Sequence, residues 1–241
     1  MAETTTIDVA GRPYEAAVSR PEGEGPWPAV VVIHDLTGFG DDVRRHCDNF
    51  AAAGYVAIAP DLYRGGNVAC VVQTMKSMAT NKGHAYAVVD AARRAVMARS
   101  DVDERKVGVC GFCMGGGFAL ISAADMTFAV AAPFYGTVPR QASRLQGICP
   151  TLAQYGSKDV AFVPHGRRLS EHLLELGVEH EVLFHDDAGH SFMNQLEGVA
   201  AVGGPYTPLR AEYDSDVEAV AWAKVLEFFG RHLGEDTAAS R

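Results

Sequence analysis

Lys106-Val-Gly-Val-Cys-Gly-Phe-Cys-Met-Gly-Gly-Gly-Phe-Ala-Leu120 is the stretch whose reading decides the fold. A β-rich run, Val107 to Cys110, enters a turn flanked by Gly111 and Gly115, and a helix-compatible run follows. Gly111-Phe-Cys113-Met-Gly115 has the glycine spacing of a nucleophile elbow, with cysteine in the position serine often takes. The glycines have a steric task. The central residue of such a turn is strained, and neighbours without Cβ let strand and helix approach closely. A cysteine lifted to a helix N-terminus meets unpaired N–H groups and the positive end of the dipole, which favour thiolate over thiol. Alone, Gly-x-Cys-x-Gly is as compatible with packing as with chemistry, because cysteine is among the most buried residue types.

Two further segments decide between these readings. Thr151-Leu-Ala-Gln-Tyr-Gly-Ser-Lys-Asp159 is an apolar strand running into a polar loop that ends in aspartate. His180-Glu-Val-Leu-Phe-His-Asp-Asp-Ala-Gly-His190-Ser-Phe192 is another strand, a small-residue turn and a histidine. Nucleophile, acid, histidine is the chain order of α/β-hydrolases. Each of the three follows an expected strand, and the carboxyl ends of parallel strands share one edge. Residues far apart in the chain can therefore meet there.

Working outward, 241 residues with 48% apolar and 21% charged composition suit one large α/β domain spanning 1–241, its tail frayed from about residue 234. Thr4–Val9 and Tyr14–Ser19 around Gly11-Arg-Pro13 predict a hairpin. Strands are expected at 29–34, 55–60, 129–135 and 181–184 besides those already named. Helices are expected from Gly38–Asp42 to near Gly54, over 80–99, after the elbow, over 164–176 and over 214–233. The alternation predicts a mostly parallel sheet covered on both faces, with no large cap domain. Tyr63–Met78 and Leu196–Glu212 read as irregular and are expected to wall a substrate site.

A formal charge of −9 and a pI near 5.4 argue against nucleic acid as the main partner, since phosphate binding needs a basic face. Met1-Ala-Glu-Thr-Thr-Thr-Ile7 lacks signal-peptide regions, and no apolar run approaches transmembrane length. Five cysteines, without the spacing of a small scaffold, argue against a disulfide framework. The expectation is a cytoplasmic protein, monomer or homodimer, with no membrane partner, metal or cofactor.

The chain resembles the dienelactone hydrolase family, cysteine-using members of the α/β-hydrolase fold. The resemblance rests on Ile33-His-Asp-Leu-Thr-Gly-Phe-Gly40, Ala59-Pro-Asp-Leu-Tyr63, Gly111-Phe-Cys-Met-Gly-Gly116, Tyr155-Gly-Ser-Lys-Asp159, Phe162-Val-Pro164 and Ala188-Gly-His-Ser-Phe192. It implies hydrolysis of a small lactone or ester, with Cys113 as nucleophile, His190 as base and acid, and Asp159 orienting the imidazole. It also implies an oxyanion hole from the backbone N–H groups of Met114 and Leu36. Family members carry an acid, usually glutamate, before the second donor as partner to the resting thiol; here that position holds Asp35, one methylene shorter. The namesake clamps a substrate carboxylate with two arginines. This chain has no arginine between Arg64 and Arg93, offering Lys76 and Lys82, and has Asn194 where the other would stand. Neither lysine nor asparagine reproduces a bidentate guanidinium. Phe39, Tyr63, Arg64, Phe112, Tyr135, Phe162 and Asn194 are the substrate-contact candidates, with Phe112 and Phe162 the preferred walls.

Other readings compete. Cys110-Gly-Phe-Cys113 has thiol–disulfide oxidoreductase spacing. His185, Asp186, Asp187 and His190 lack the helical i, i+4 pair of a zinc protease and read as a solvated loop. His34 and Asp61 read as structural groups at strand ends, and Cys47, Cys70 and Cys149 as packing residues. A binding or sensor protein that kept the fold without turnover is a third class.

Overall fold

The structure is a computed structural model and describes residues 1–196 and 202–234. Its strands are β1 (Glu3–Val9), β2 (Arg12–Ser19), β3 (Trp27–Ile33), β4 (Val56–Pro60), β5 (Val102–Phe112), β6 (Val130–Phe134), β7 (Thr151–Gly156) and β8 (His180–His185). Its helices are α1 (Asp41–Ala52), α2 (Val68–Thr80), α3 (His84–Met97), α4 (Met114–Asp125), α5 (Val163–Glu175) and α6 (Ser215–Leu233). All eight strands form one sheet in the order β1-β2-β4-β3-β5-β6-β7-β8. Only the β1–β2 and β2–β4 pairings are antiparallel.

The sequence explains which strands lie inside. Val30-Val-Val-Ile33, Val56 to Pro60 and Val130 to Phe134 are unbroken apolar runs, and every residue in them is buried. That is the pattern of strands covered on both faces, where alternation disappears. β1 alternates instead at its end, burying Ile7 and Val9 between exposed neighbours, as an edge strand does. On one face α1 meets α6 through Phe50, whose ring packs against Trp222 and Phe229. Tyr86 of α3 meets Phe118 of α4 edge-on. Helices thus cover both faces of the sheet.

The strand order fixes where a site can form. From β3 the chain moves outward to β4, then returns past β3 to β5 on its other side. The crevice at the carboxyl ends of β3 and β5 is therefore the topological switch point, the usual ligand position in an open α/β sheet. The loop after β3 holds His34 to Gly40, and the turn after β5 holds the elbow.

One expected loop is corrected. Within Tyr63–Met78, residues 68 onward form α2 rather than an irregular wall. The Asn67 side chain caps it, accepting from the N–H groups of Ala69 and Cys70. The expected helix over 80–99 begins only at His84. Of the second loop, Leu196–Glu212, residues 197–201 lie outside the described residues, as do those of the expected frayed tail beyond 234. Among the described residues, no helix is long and apolar enough to cross a membrane.

Candidate active site

Cys113 sits between β5 and α4 with φ 54° and ψ −112°, a positive φ that a residue with Cβ adopts only under constraint. Backbone bonds supply the constraint. Its N–H donates to Phe134 O at 3.1 Å, and its carbonyl accepts from Gly117 N at 3.2 Å, the first bond of α4. The glycines are obligatory for contact. A Cβ on Gly111 would collide with Gly115 O, and one on Gly115 with the carbonyl oxygens of Ile33 and His34. α4 is thereby pressed onto the end of β3, and the half-buried Cys113 stands at the helix N-terminus.

Asp159 follows β7 and is fully buried. Its Oδ1 accepts from Phe162 N at 3.2 Å, and its Oδ2 lies 2.6 Å from His190 Nδ1. His190, almost fully buried, is fixed through its backbone: its N–H donates to Leu209 O at 2.8 Å and its carbonyl accepts from Glu212 N at 3.0 Å. Burial opposes charge on the imidazole. The Asp159 hydrogen bond and the interaction with Cys113 outweigh burial and carry its pKa up to about 9. Nε2 has no hydrogen-bond partner among the described residues, so it is the nitrogen left for a thiol or substrate proton. Phe162 and Tyr135 hold the ring from two sides, at 4.6 and 4.8 Å between centroids.

Tyr63, a substrate-contact candidate of the sequence, touches both residues whose N–H groups are the expected oxyanion donors, through other atoms. Tyr63 is buried, and its Oη lies 3.2 Å from Leu36 O and 3.5 Å from Met114 Sδ. Burial, then the charges of Asp35 and Cys113, push this phenol up to about 12, so it stays a donor. Asp35 is occupied locally: its Oδ1 accepts from the N–H of Thr37 at 2.8 Å and from the Thr37 hydroxyl. That turn shapes the loop. His34 is buried, with Nδ1 2.7 Å from Asp35 O and Nε2 accepting from Leu62 N at 3.2 Å, a bridge between the loops after β3 and β4. Asp61 caps the latter loop through Tyr63 N and Gly65 N.

A cavity of about 530 Å³ opens beside the elbow, between the loop after β3, the first turn of α1 and residues 194–196. Phe112 borders it yet is fully buried, stacked between His46 and Phe134, so it is floor rather than mobile wall. Three substrate-contact expectations are corrected. Arg64 lies over the Tyr14 ring and donates to Pro13 O, outside this cavity. Tyr135 is fully buried and donates to Asn194 Oδ1. Asn194 is 2% exposed, and its Nδ2 donates to Asp42 Oδ2 at 2.6 Å, so each end of the amide is engaged within the protein. Phe39 is half-buried under the Arg44 guanidinium.

Sequence reading missed a clamp formed with α1. Asp42 Oδ1 accepts from Gln195 N at 3.1 Å, and Arg45 Nη2 donates to Met193 O at 2.7 Å. Arg45 also pairs with Asp42 and Glu218. Burial would raise the Asp42 pKa, but His46, Asn194 and Arg45 together hold it well below the carboxylate range. The histidine loop is thus bolted to α1, with partners some 150 residues apart and no local sequence signal.

The competing constellations separate in space. Cys110 is buried within β5 and its thiol is pushed up by burial, the opposite of what a redox Cys-x-x-Cys requires. His185 Nε2 is 2.7 Å from Gln154 Oε1, while Asp187 pairs with Lys158 at the surface. Among the described residues, no three His, Cys, Asp or Glu side chains are arranged to hold a metal ion.

The dienelactone hydrolase family model matches residues 14–233. The chain belongs to the dienelactone hydrolase family. A Yersinia pestis protein assigned as a carboxymethylenebutenolidase is 25% identical over 246 residues, covering 95% of this chain and 87% of its own length. A Bradyrhizobium protein assigned as a 2-oxo-3-(5-oxofuran-2-ylidene)propanoate lactonase is 25% identical over 252 residues, with 94% and 93% covered. The same fold occurs in a dienelactone hydrolase-like promiscuous phosphotriesterase from metagenomic libraries, with a TM-score of 0.83 at 24% identity, covering 97% and 99%. It occurs also in a dienelactone hydrolase from Anabaena variabilis, with a TM-score of 0.70 at 19% identity, covering 97% and 98%. Family membership makes this chain a hydrolase.

Proposed function

We propose that this hydrolase cleaves a small lactone or activated ester by covalent catalysis at Cys113, with His190 as proton carrier and Asp159 as its orienting acid. The observation that carries the reading is the 2.6 Å contact between His190 Nδ1 and Asp159 Oδ2. It fixes one ring nitrogen as a donor to the carboxylate and leaves Nε2 for chemistry beside a cysteine at a helix N-terminus. The lactone hydrolase names carried by relatives support the reaction class.

In the proposed sequence, the Cys113 proton rests on Nε2 and the thiolate sulfur attacks the carbonyl carbon. The carbonyl electron pair moves to oxygen, stabilised by the N–H groups of Leu36 and Met114. First-turn N–H groups of a helix lack intrahelical acceptors, so Met114 N–H is available by geometry. Collapse breaks the C–O bond, and the imidazolium proton goes to the departing alkoxide. The result is a thioester on Cys113. Water then gives a proton to Nε2 and attacks, and the thiolate leaves with the acid released. Thiolate is a better leaving group than an amide nitrogen, which suits ester and lactone substrates over amides.

The test is turnover of a chromogenic ester and a small lactone by the intact protein, by protein treated with a thiol-alkylating reagent, and by Cys113→Ala. Alkylation and substitution each remove at least about three orders of magnitude in rate. A folded Cys113→Ala protein with unchanged turnover of both substrates contradicts the proposal.

A further inference from the structure

The charges around the cavity bear on which esters the site accepts. Asp35, Asp41 and Asp42 all border it, and among the described residues that line it only Arg45 carries a guanidinium or ammonium group. That guanidinium is already committed to two carboxylates, Asp42 and Glu218, and to Met193 O. The first turn of α1 also borders the cavity and contributes roughly half a positive charge. Asp41 and Asp42 occupy that same turn. Of the lining histidines, burial lowers the pKa of His34, which keeps it neutral. Even with His46 counted as a cation, three carboxylates leave the lining negative.

Potential cation replacements lie elsewhere. Arg64 is over Tyr14, and Lys76 and Lys82 are exposed on or just after α2 and do not border the cavity. Asn194 has both amide ends engaged, and its Asp42 partner adds negative charge where a carboxylate-binding group would be needed.

We infer that the site selects against anionic acyl groups and takes uncharged or cationic esters and lactones, with Asp41 and Asp35 as residues that set this preference. The inference rests on the ester-hydrolase reading above. The cavity is bordered by the loop that carries Leu36 and by Phe112, the residue before Cys113, so an acyl chain on a carbonyl held at Leu36 and Met114 would lie next to it. A carboxylate on that chain meets like charge with no guanidinium to receive it. An ammonium or a neutral group meets no such barrier. The Asp41 contribution is moderated by water and salt because that side chain is exposed.

The test uses nitrophenyl esters of matched length whose acyl chains end in a tert-butyl, a carboxylate or a trimethylammonium group, with and without prior thiol alkylation. At low salt, thiol-dependent kcat/KM for the carboxylate ester is at least about tenfold below that of the neutral isostere, and the ammonium ester equals or exceeds the neutral one. The gap narrows at about 1 M salt. Asp41→Asn and Asp35→Asn each raise the carboxylate-to-neutral ratio about three- to tenfold, as loss of one screened charge at this range predicts. Thiol-dependent turnover that favours the carboxylate ester, or a ratio that neither substitution moves, overturns the inference and leaves the hydrolase reading standing. Absence of thiol-dependent turnover with all three esters overturns the cysteine-hydrolase reading, and this inference with it.

Discussion

Tyr63 is a residue whose importance only coordinates could supply. The sequence offers it as one aromatic in Ala59-Pro-Asp-Leu-Tyr63, and a pocket wall was the natural expectation; instead its phenol ties Leu36 O and Met114 Sδ together. Tyr63→Phe removes that tie and keeps the ring, so kcat falls about three- to tenfold with KM little changed, readable in steady-state kinetics. His190 makes a second prediction. In the proposed mechanism its imidazole, raised to about 9, gives the proton to a departing alkoxide. With alkyl esters, kcat/KM therefore declines as pH rises above about 9, whereas nitrophenyl esters, whose leaving group needs no proton, lack this limb. The same shift enters stability with a definite sign. A folded-state pKa above the unfolded value near 6.5 gives stabilisation that is complete below that value and lost as pH rises through about 9. Urea denaturation of the protein and of His190→Gln at pH 6 and pH 10 should show the advantage of histidine only at the lower pH.

Among the elements, α1 does more than cover the sheet. It follows the loop carrying Leu36 and, through Asp42 and Arg45, holds the loop carrying His190, so one helix aligns both halves of the site. Asp42→Ala leaves Asn194 and the Gln195 N–H without their carboxylate and Arg45 with Glu218 alone, and costs about 2–4 kcal/mol in denaturant unfolding. Because the folded pKa of Asp42 is depressed, its contribution is present above the unfolded value of 3.8 and fades as pH falls toward the folded one, so the two proteins converge in acid. The elbow gives a sharper case. Gly115→Ala drives a Cβ into the carbonyls of Ile33 and His34 and destabilises by more than about 3 kcal/mol, with loss of activity. These two elements also mark what the sequence makes legible. The elbow was readable because glycine spacing, strand and helix are all local. The Asp42–Asn194 pairing was not, since two separate loops meet only after the sheet closes. α2 is hard to read in the sequence for another reason: Val68-Ala-Cys-Val-Val is rich in β-branched residues, and its cap Asn67 directly follows the loop-like Gly65-Gly66.

For the molecule as a whole, topology turns chain order into geometry. Cys113, Asp159 and His190 follow β5, β7 and β8 at one edge of the sheet, and the reversal of strand order at β3 opens a crevice next to the end of β5. That much could be anticipated from alternating strands and helices, because a parallel sheet gathers its strand ends whatever the loops do. The charge of the cavity could not, because Asp41 and Asp42 read as ordinary first-turn helix residues until the fold set them beside the elbow. The most direct test of the account is rapid-quench mass spectrometry of the protein turning over a slowly hydrolysed ester. A mass increase equal to the acyl group, mapped to Cys113 and absent from folded Cys113→Ala, is the predicted result. Turnover with the acyl group on another residue, or undiminished after Cys113 is replaced, would contradict it.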